Sequence, residues 1–143
     1  MTTDAYIKDR LDDQIKWYSS KSKSNQKYYK RLKIIEIVIA SFIPFFAGVG
    51  NQLKFYSITI GILGLIVAIS AGVIVLYKFH ENWIKYRTTC EMLKHEKYLF
   101  LTKCAPYNLE DAFCLLVSRV ENLISKENTQ WSEYSEQTKN IEK

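Results

Sequence analysis

Apolar and polar residues follow three different patterns along this chain, and each predicts a helix of a different kind. Over residues 3–18, Ile7, Leu11, Ile15 and Tyr18 recur at helical spacing among charged neighbours. This predicts an amphipathic helix, with Thr3 as its cap and Asp4 in its first turn. The stripe lapses at 19–26, a Ser- and Lys-rich stretch that suits either a hinge or a solvated length of helix. From Ile34 charge nearly disappears. Residues 34–50 and 56–77 form two apolar runs, the second 22 residues long and uncharged, with only 51–55 between them. As helices the runs measure about 26 and 33 Å, against a hydrocarbon thickness of about 30 Å. A helix apolar all round has no wet face to offer a soluble bundle, so the pattern predicts a transmembrane hairpin.

The third pattern begins beyond the second run. Phe79, Trp83, Tyr86, Cys90, Leu93 and Phe100 keep a heptad-like seam, and no glycine or proline occurs between Gly72 and Pro106. The expected element is the second span continuing as one long cytoplasmic helix to the region of Cys104, ended by Pro106. Asn108 is placed to cap a last helix, with Glu110 and Asp111 in its first turn. Leu109, Ala112, Phe113, Leu116, Val120, Leu123 and Ile124 would form its apolar face. Trp131 is the last expected anchor, and the polar residues from Ser132 are expected to be disordered.

The fold class expected is an all-α membrane protein, a two-transmembrane helical hairpin with a cytoplasmic helical bundle. Its parts are an amphipathic helix with a basic juxtamembrane segment (1–33), the hairpin (34–77, spans 34–50 and 56–77), cytoplasmic helices (78–131) and a polar tail (132–143).

Charge fixes the expected orientation. The 143 residues carry a net charge of +5, but placement matters more than the sum. Lys21, Lys23, Lys27, Lys30, Arg31 and Lys33 precede the first run with no acid among them. Lys78, Lys85, Arg87, Lys94 and Lys97 follow the second, whereas the connection holds only Lys54. By the positive-inside rule both termini are cytoplasmic, in a multi-pass protein of the plasma membrane. Such a cluster also attracts anionic lipid, at about 1 kcal/mol per basic residue. Topology accounts for the charges without nucleic acid. Aromatic residues mark the expected borders: Tyr28 and Tyr29 at entry, Phe55 and Tyr56 at the far side, and Tyr77, Phe79, Trp83 and Tyr86 at exit. A cleaved signal peptide is excluded by position, since the first apolar run starts after a long polar stretch.

Within the spans a few residues stand out. Pro44 removes a backbone hydrogen bond in the first. Glu36 is the only acid in either span, and two readings suit it. It is an interfacial carboxylate paired with a neighbouring Lys or Arg, or one member of a cation-attracting ring at a pore mouth. In the second span Gly61, Gly64, Ala68 and Gly72 form a small-residue face that lets helix backbones approach, either inside the hairpin or between subunits. Ser57 and Ser70, with Thr59, are its polar groups.

Catalytic chemistry is missing. His80-Glu81 and His95-Glu96 lack the second histidine of a zinc-protease motif, and Cys90, Cys104 and Cys114 have no ligand spacing. No phosphate loop or nucleophile elbow occurs, so neither an enzyme nor a cofactor is expected.

Three sequence words remain: Tyr-Arg-Thr-Thr-Cys-Glu-Met-Leu-Lys-His-Glu-Lys-Tyr-Leu-Phe at 86–100, Ala-Pro-Tyr at 105–107, and Val-Glu-Asn-Leu-Ile-Ser-Lys-Glu-Asn-Thr-Gln-Trp at 120–131. With the preceding hairpin they resemble the SLATT family of bacterial two-transmembrane proteins, in a branch long filed as a domain of unknown function. The resemblance covers 5–131. It implies a membrane effector of bacterial conflict systems that forms pores when a partner senses a nucleotide, and it brings no active site. The positions that match are Tyr86, Arg87, Glu91, Leu93, Lys94, Glu96, Tyr98 and Trp131. Arg87, Glu91, Lys94 and Glu96 would pair within the bundle or across subunits.

Two functions follow as expectations. One is a homo-oligomeric pore or ion channel, because a single hairpin has no lumen; Phe79, Trp83, Tyr86, Arg87, Glu91 and Leu93 are its candidate assembly residues in the cytoplasm. The other is a non-conducting oligomeric scaffold or signalling adaptor on the same hairpin.

Overall fold

A computed structural model describes residues 2–49 and 55–141, with side chains through Lys126 apart from Val49. All regular structure among the described residues is helical: α1 (Thr3–Tyr6), a π-helical turn (Ile7–Leu11), α2 (Asp12–Val49), α3 (Tyr56–Tyr77), α4 (Phe79–Leu101) and α5 (Ala112–Ile141). The expected connection at 51–55, with Lys54, lies outside the described residues except for Phe55.

The cap of α1 is Thr2, not Thr3: its Oγ1 accepts from the Ala5 amide at 3.4 Å. The π turn then changes which residues face inward. The Asp12 amide reaches back to the Ile7 carbonyl, so one residue is inserted into the helix. Tyr6, five places before Leu11, is buried, while Ile7 of the simple helical stripe is half-buried. Leu11 and Tyr18 are buried as the sequence pattern predicts. No hinge occurs at 19–26, which holds no glycine or proline; α2 runs through it.

The chain divides into two compact units, Met1–Lys21 with Lys85–Lys143, and Ser22–Ile84. The first has a closed core. Leu11 and Tyr18, then Cys90 and Leu93 of α4, then Leu116 and Val120 of α5 are all but inaccessible. Burying each large side chain contributes about 1.5–3 kcal/mol.

Helix α4 does not wait for Pro106 to end. Lys103 adopts φ 52°, its amide bonds to the Phe100 carbonyl, and the Cys104 amide bonds to the Leu99 carbonyl. This is a Schellman closure with lysine in the place glycine usually takes. Pro106 follows in the loop, after a cis peptide bond. Asn108 is not the cap of α5, which begins at Ala112, and Leu109 lies outside the helix and is exposed. Helix α5 runs on past Trp131 through the polar residues to Ile141, where the sequence predicts disorder.

In the second unit, α3 has the bounds the apolar run predicts. It does not continue unbroken into α4: Lys78 takes φ 48°, ψ 38° between them. The interruption is bridged locally, since the Asn82 side-chain amide donates to the Tyr77 carbonyl at 3.1 Å. Lysine carries no sequence signal for a left-handed residue, so the break was not legible.

Candidate functional site

Each apolar helix of the second unit shelters one stripe and leaves the rest open. On α2 the half-buried positions are Leu32, Glu36, Ile39, Ile43 and Phe46, and on α3 Leu63, Val67, Ala71 and Ile74 flank buried Ser70. Both sets follow helical spacing. Around them Ile37, Phe45, Ile58, Leu65, Val75 and Leu76 are exposed, Leu76 to 76%. One helix among the described residues is long and apolar enough to cross a membrane, and 6% of its most apolar stretch is buried.

Of the small-residue face of α3, Gly61, Ala68 and Gly72 are exposed, and Gly64 is half-buried at the edge of the sheltered stripe. A Cβ added at Gly61, Gly64 or Gly72 would meet no atom within 4 Å. Among the described residues, these glycines are not where this chain's own helices approach closely. Ala68 and Ser57 are exposed on the same side. Thr59 Oγ1 is held by the Phe55 carbonyl at 3.1 Å.

Glu36 sits on the sheltered stripe of α2. Lys33 Nζ lies 3.1 and 3.2 Å from its two oxygens, a pairing with a neighbouring lysine. Pro44 is exposed within an otherwise continuous α2.

An aromatic collar closes one end of this unit. Tyr28 stacks on Phe79 at 5.7 Å, Phe79 on Tyr77 at 5.4 Å, and Tyr29 on His80 at 4.8 Å. Tyr29 also stacks on Trp83 at 6.5 Å, and Lys30 Nζ lies 6.0 Å from the Trp83 ring. Ser22 donates to the Trp83 carbonyl at 3.3 Å. Tyr28 and Tyr29 of the expected entry set are thus brought together with Tyr77, Phe79 and Trp83 of the exit set, but not with Tyr86.

In the first unit the seam residues are consumed inside the chain. Tyr86 packs on Trp17 at 5.8 Å and Tyr18 at 6.1 Å, and Leu93 is fully buried. Arg87 and Lys94 both pair with Glu91, at 3.2 and 3.1 Å, on the helix surface. Those two ion pairs and the hydrogen bond from Lys94 hold the Glu91 carboxyl below its usual range, the hydrogen bond most.

Three polar links that sequence reasoning missed join the elements of this unit. Arg10 meets Glu121 through two bonds of 3.1 and 3.0 Å, and the Tyr6 hydroxyl donates to the same carboxylate at 3.0 Å. Lys97 reaches Asp12 at 2.6 Å. The Tyr107 hydroxyl donates to Glu96, which Arg119 approaches at 3.5 Å. The hydrogen bond from Arg10 holds the Glu121 carboxyl below its usual range. Burial, then the bond to Glu96, pushes the Tyr107 phenol up to about 12. Sequence words 86–100 and 105–107 therefore meet through Glu96 and Tyr107, and Phe100 packs edge-on to the Tyr107 ring at 5.7 Å. Trp131 has no described side chain.

An open groove of about 730 Å³ runs along α4, lined by Arg87, Glu91, Met92, His95 and Tyr98 with Leu123 of α5. It holds one histidine and no metal-ligand set. Among the described residues no group of His, Cys, Asp and Glu gathers to hold a metal.

The family model described as protein of unknown function (DUF4231) matches residues 13–112, more than half of the chain. The chain belongs to the DUF4231 family. The matched region holds both sheltered stripes, the aromatic collar and the Glu96–Tyr107 contact, whereas Tyr6, Arg10 and Glu121 fall outside it. No curated protein and no solved structure matches the chain.

Proposed function

We propose that this DUF4231 protein is a two-span membrane protein of the SLATT kind that assembles with copies of itself into a pore or ion channel. The observation that carries the reading is the exposure of α3, whose most apolar stretch is 6% buried. In water so large an apolar surface drives aggregation, and in hydrocarbon it has no cost. The apolar end of α2 supplies the second span. The basic residues before it and after α3 put both termini in the cytoplasm.

Assembly through the cytoplasmic seam is disfavoured, because Tyr86 and Leu93 are already buried within the chain. The open face of Gly61, Gly64, Ala68 and Gly72 is the alternative, since small residues allow close helix contact in lipid. Ser57 lies on that face, so conduction relies on a largely apolar constriction that wets on opening. The trigger implied by the resemblance is a separate nucleotide-sensing partner. Glu36 is no selectivity ring in this scheme, and Glu36→Gln leaves permeability ratios unchanged.

A second reading, a non-conducting oligomeric scaffold, is favoured by the same scarcity of polar groups: Ser70 is buried and Thr59 is bonded to its own helix. The test is single-channel recording of the purified protein in planar bilayers, with stoichiometry measured in detergent. Discrete ion-selective openings from an oligomer support the pore, and a silent stable oligomer supports the scaffold. A monomer that stays out of bilayers defeats both.

A further inference from the structure

The structure sorts the basic residues that precede the apolar end of α2. Lys33 is neutralised by Glu36, and Lys21 lies over the Trp17 ring at 5.7 Å. Lys23, Lys27, Lys30 and Arg31 are exposed, and among the described residues no carboxylate pairs with them. The chain has no acid between Asp13 and Glu36. At 3.6 residues per turn these four side chains fall in a sector of about 100°. Tyr29 and Ser22, on the opposite side of the helix, face the aromatic collar, whose Trp83 ring Lys30 also reaches from the edge of the basic sector at 6.0 Å. The outcome is a one-sided basic face that adjoins the apolar surface within the same compact unit.

We propose that this face of α2 is a docking site for the headgroups of anionic phospholipids, with Lys30 and Arg31 as its principal ligands. The inference rests on the membrane reading given above. Charge complementarity and continuity with the apolar surface select a lipid: a phosphate held by Lys30 or Arg31 places its acyl chains beside Ile34, Ile35 and Val38, all exposed. Distance grades the contributions. Along the helix axis from Ile34, Arg31 and Lys30 lie about 4.5 and 6 Å away, Lys27 about 10 Å and Lys23 about 16 Å. The Debye length at physiological ionic strength is about 8 Å, so attraction falls in the order Lys30 and Arg31, then Lys27, then Lys23.

Trp83 gives a direct readout, since Lys30 lies at its ring. The full chain with Trp17→Phe and Trp131→Phe is reconstituted in phosphatidylcholine vesicles. Its fluorescence quenching is then compared for brominated phosphatidylglycerol and brominated phosphatidylcholine. The expected result is a preference for phosphatidylglycerol that drops about fivefold with Lys30→Gln or Arg31→Gln, less with Lys27→Gln, and least with Lys23→Gln. Equal quenching by the two lipids overturns the proposal, as does a preference that survives Lys30→Gln with Arg31→Gln. Loss of the preference in inorganic phosphate, but not in sodium chloride of equal ionic strength, makes the face a free-anion site and also overturns it. Absence of quenching by either lipid defeats the membrane reading itself, and so is told apart from a failure of the basic face alone.

Discussion

Leu93 and Leu65 are the same residue in helices of similar length, yet Leu93 is fully buried and Leu65 is 59% exposed. The contrast holds for their whole units. Around Leu93 the side chains of α2, α4 and α5 interlock, and ion pairs such as Arg10–Glu121 fasten elements distant in sequence. Around Leu65 the described residues shelter one stripe per helix and leave the other apolar positions open. The first unit completes its core with its own residues. The second leaves its apolar positions open, and under the proposed membrane reading hydrocarbon or further copies cover them. Hydrophobicity alone does not separate these cases; the periodicity does, because α4 and α5 alternate apolar with charged positions and α3 does not.

The largest effect that tests this contrast is a truncation. Leu93→Ala should cost about 2–5 kcal/mol in thermal unfolding in detergent, through lost burial and a cavity. Leu65→Ala should cost less than about 0.5 kcal/mol. Equal losses would erase the distinction between the units.

The pH dependence of unfolding reads the polar links of the first unit. An unfolded tyrosine ionises near 10.0, whereas Tyr6 and Tyr107 are raised to about 12, by burial first and then by Glu121 and Glu96 respectively. The folded state therefore keeps a proton that the unfolded chain has lost. The stability this contributes is complete below pH 10 and drains away toward pH 12. Tyr107→Phe should flatten part of that slope in denaturant titrations. On the acid side Glu121 works in reverse: its lowered carboxyl contributes stability above the ordinary value of 4.5, lost as pH falls through the folded value. Glu121→Gln should remove that acid limb.

A smaller gain is expected at the end of α4. Lys103→Gly relieves a left-handed lysine and should raise stability by about 0.5–1 kcal/mol in the same unfolding assay. A loss would mean that the Lys103 side chain contributes more than its backbone costs. The smallest effect is at the open face. Gly61→Ala or Gly72→Ala meets no neighbour, so the chain's own thermal stability should hold or rise by up to about 1 kcal/mol while its self-association, measured by sedimentation in detergent, weakens. A large fall in stability would place those glycines against this chain's own helices.

Where local pattern governs structure, the sequence was a good guide. The uncharged run 56–77 is α3, and Leu116, Val120 and Ile124 are the buried face of α5. The misses share a cause. Lys78 and Lys103 are left-handed, and Tyr6 replaces Ile7 in the core through the π turn. None of these has a residue signature, because tertiary packing selects them. Glu121 and Tyr6 meet across nearly the whole sequence, so no local spacing could pair them. The small-residue face is visible in the sequence, but the space beside its glycines is not.

The break at Lys78 has a consequence for the lipid. Hydrocarbon tolerates no unpaired backbone carbonyl, and ending a helix exposes several, of which Asn82 covers the one at Tyr77. Under the membrane reading this joint must lie at the water border, so α3 is a rod of set apolar length, about 33 Å. In a thicker bilayer the rod cannot be lengthened by drawing in α4, and tilting would only shorten its reach. The bilayer must thin around it instead. On that reading the span would gather where the acyl chains match its rod and would deform the sheet where they do not.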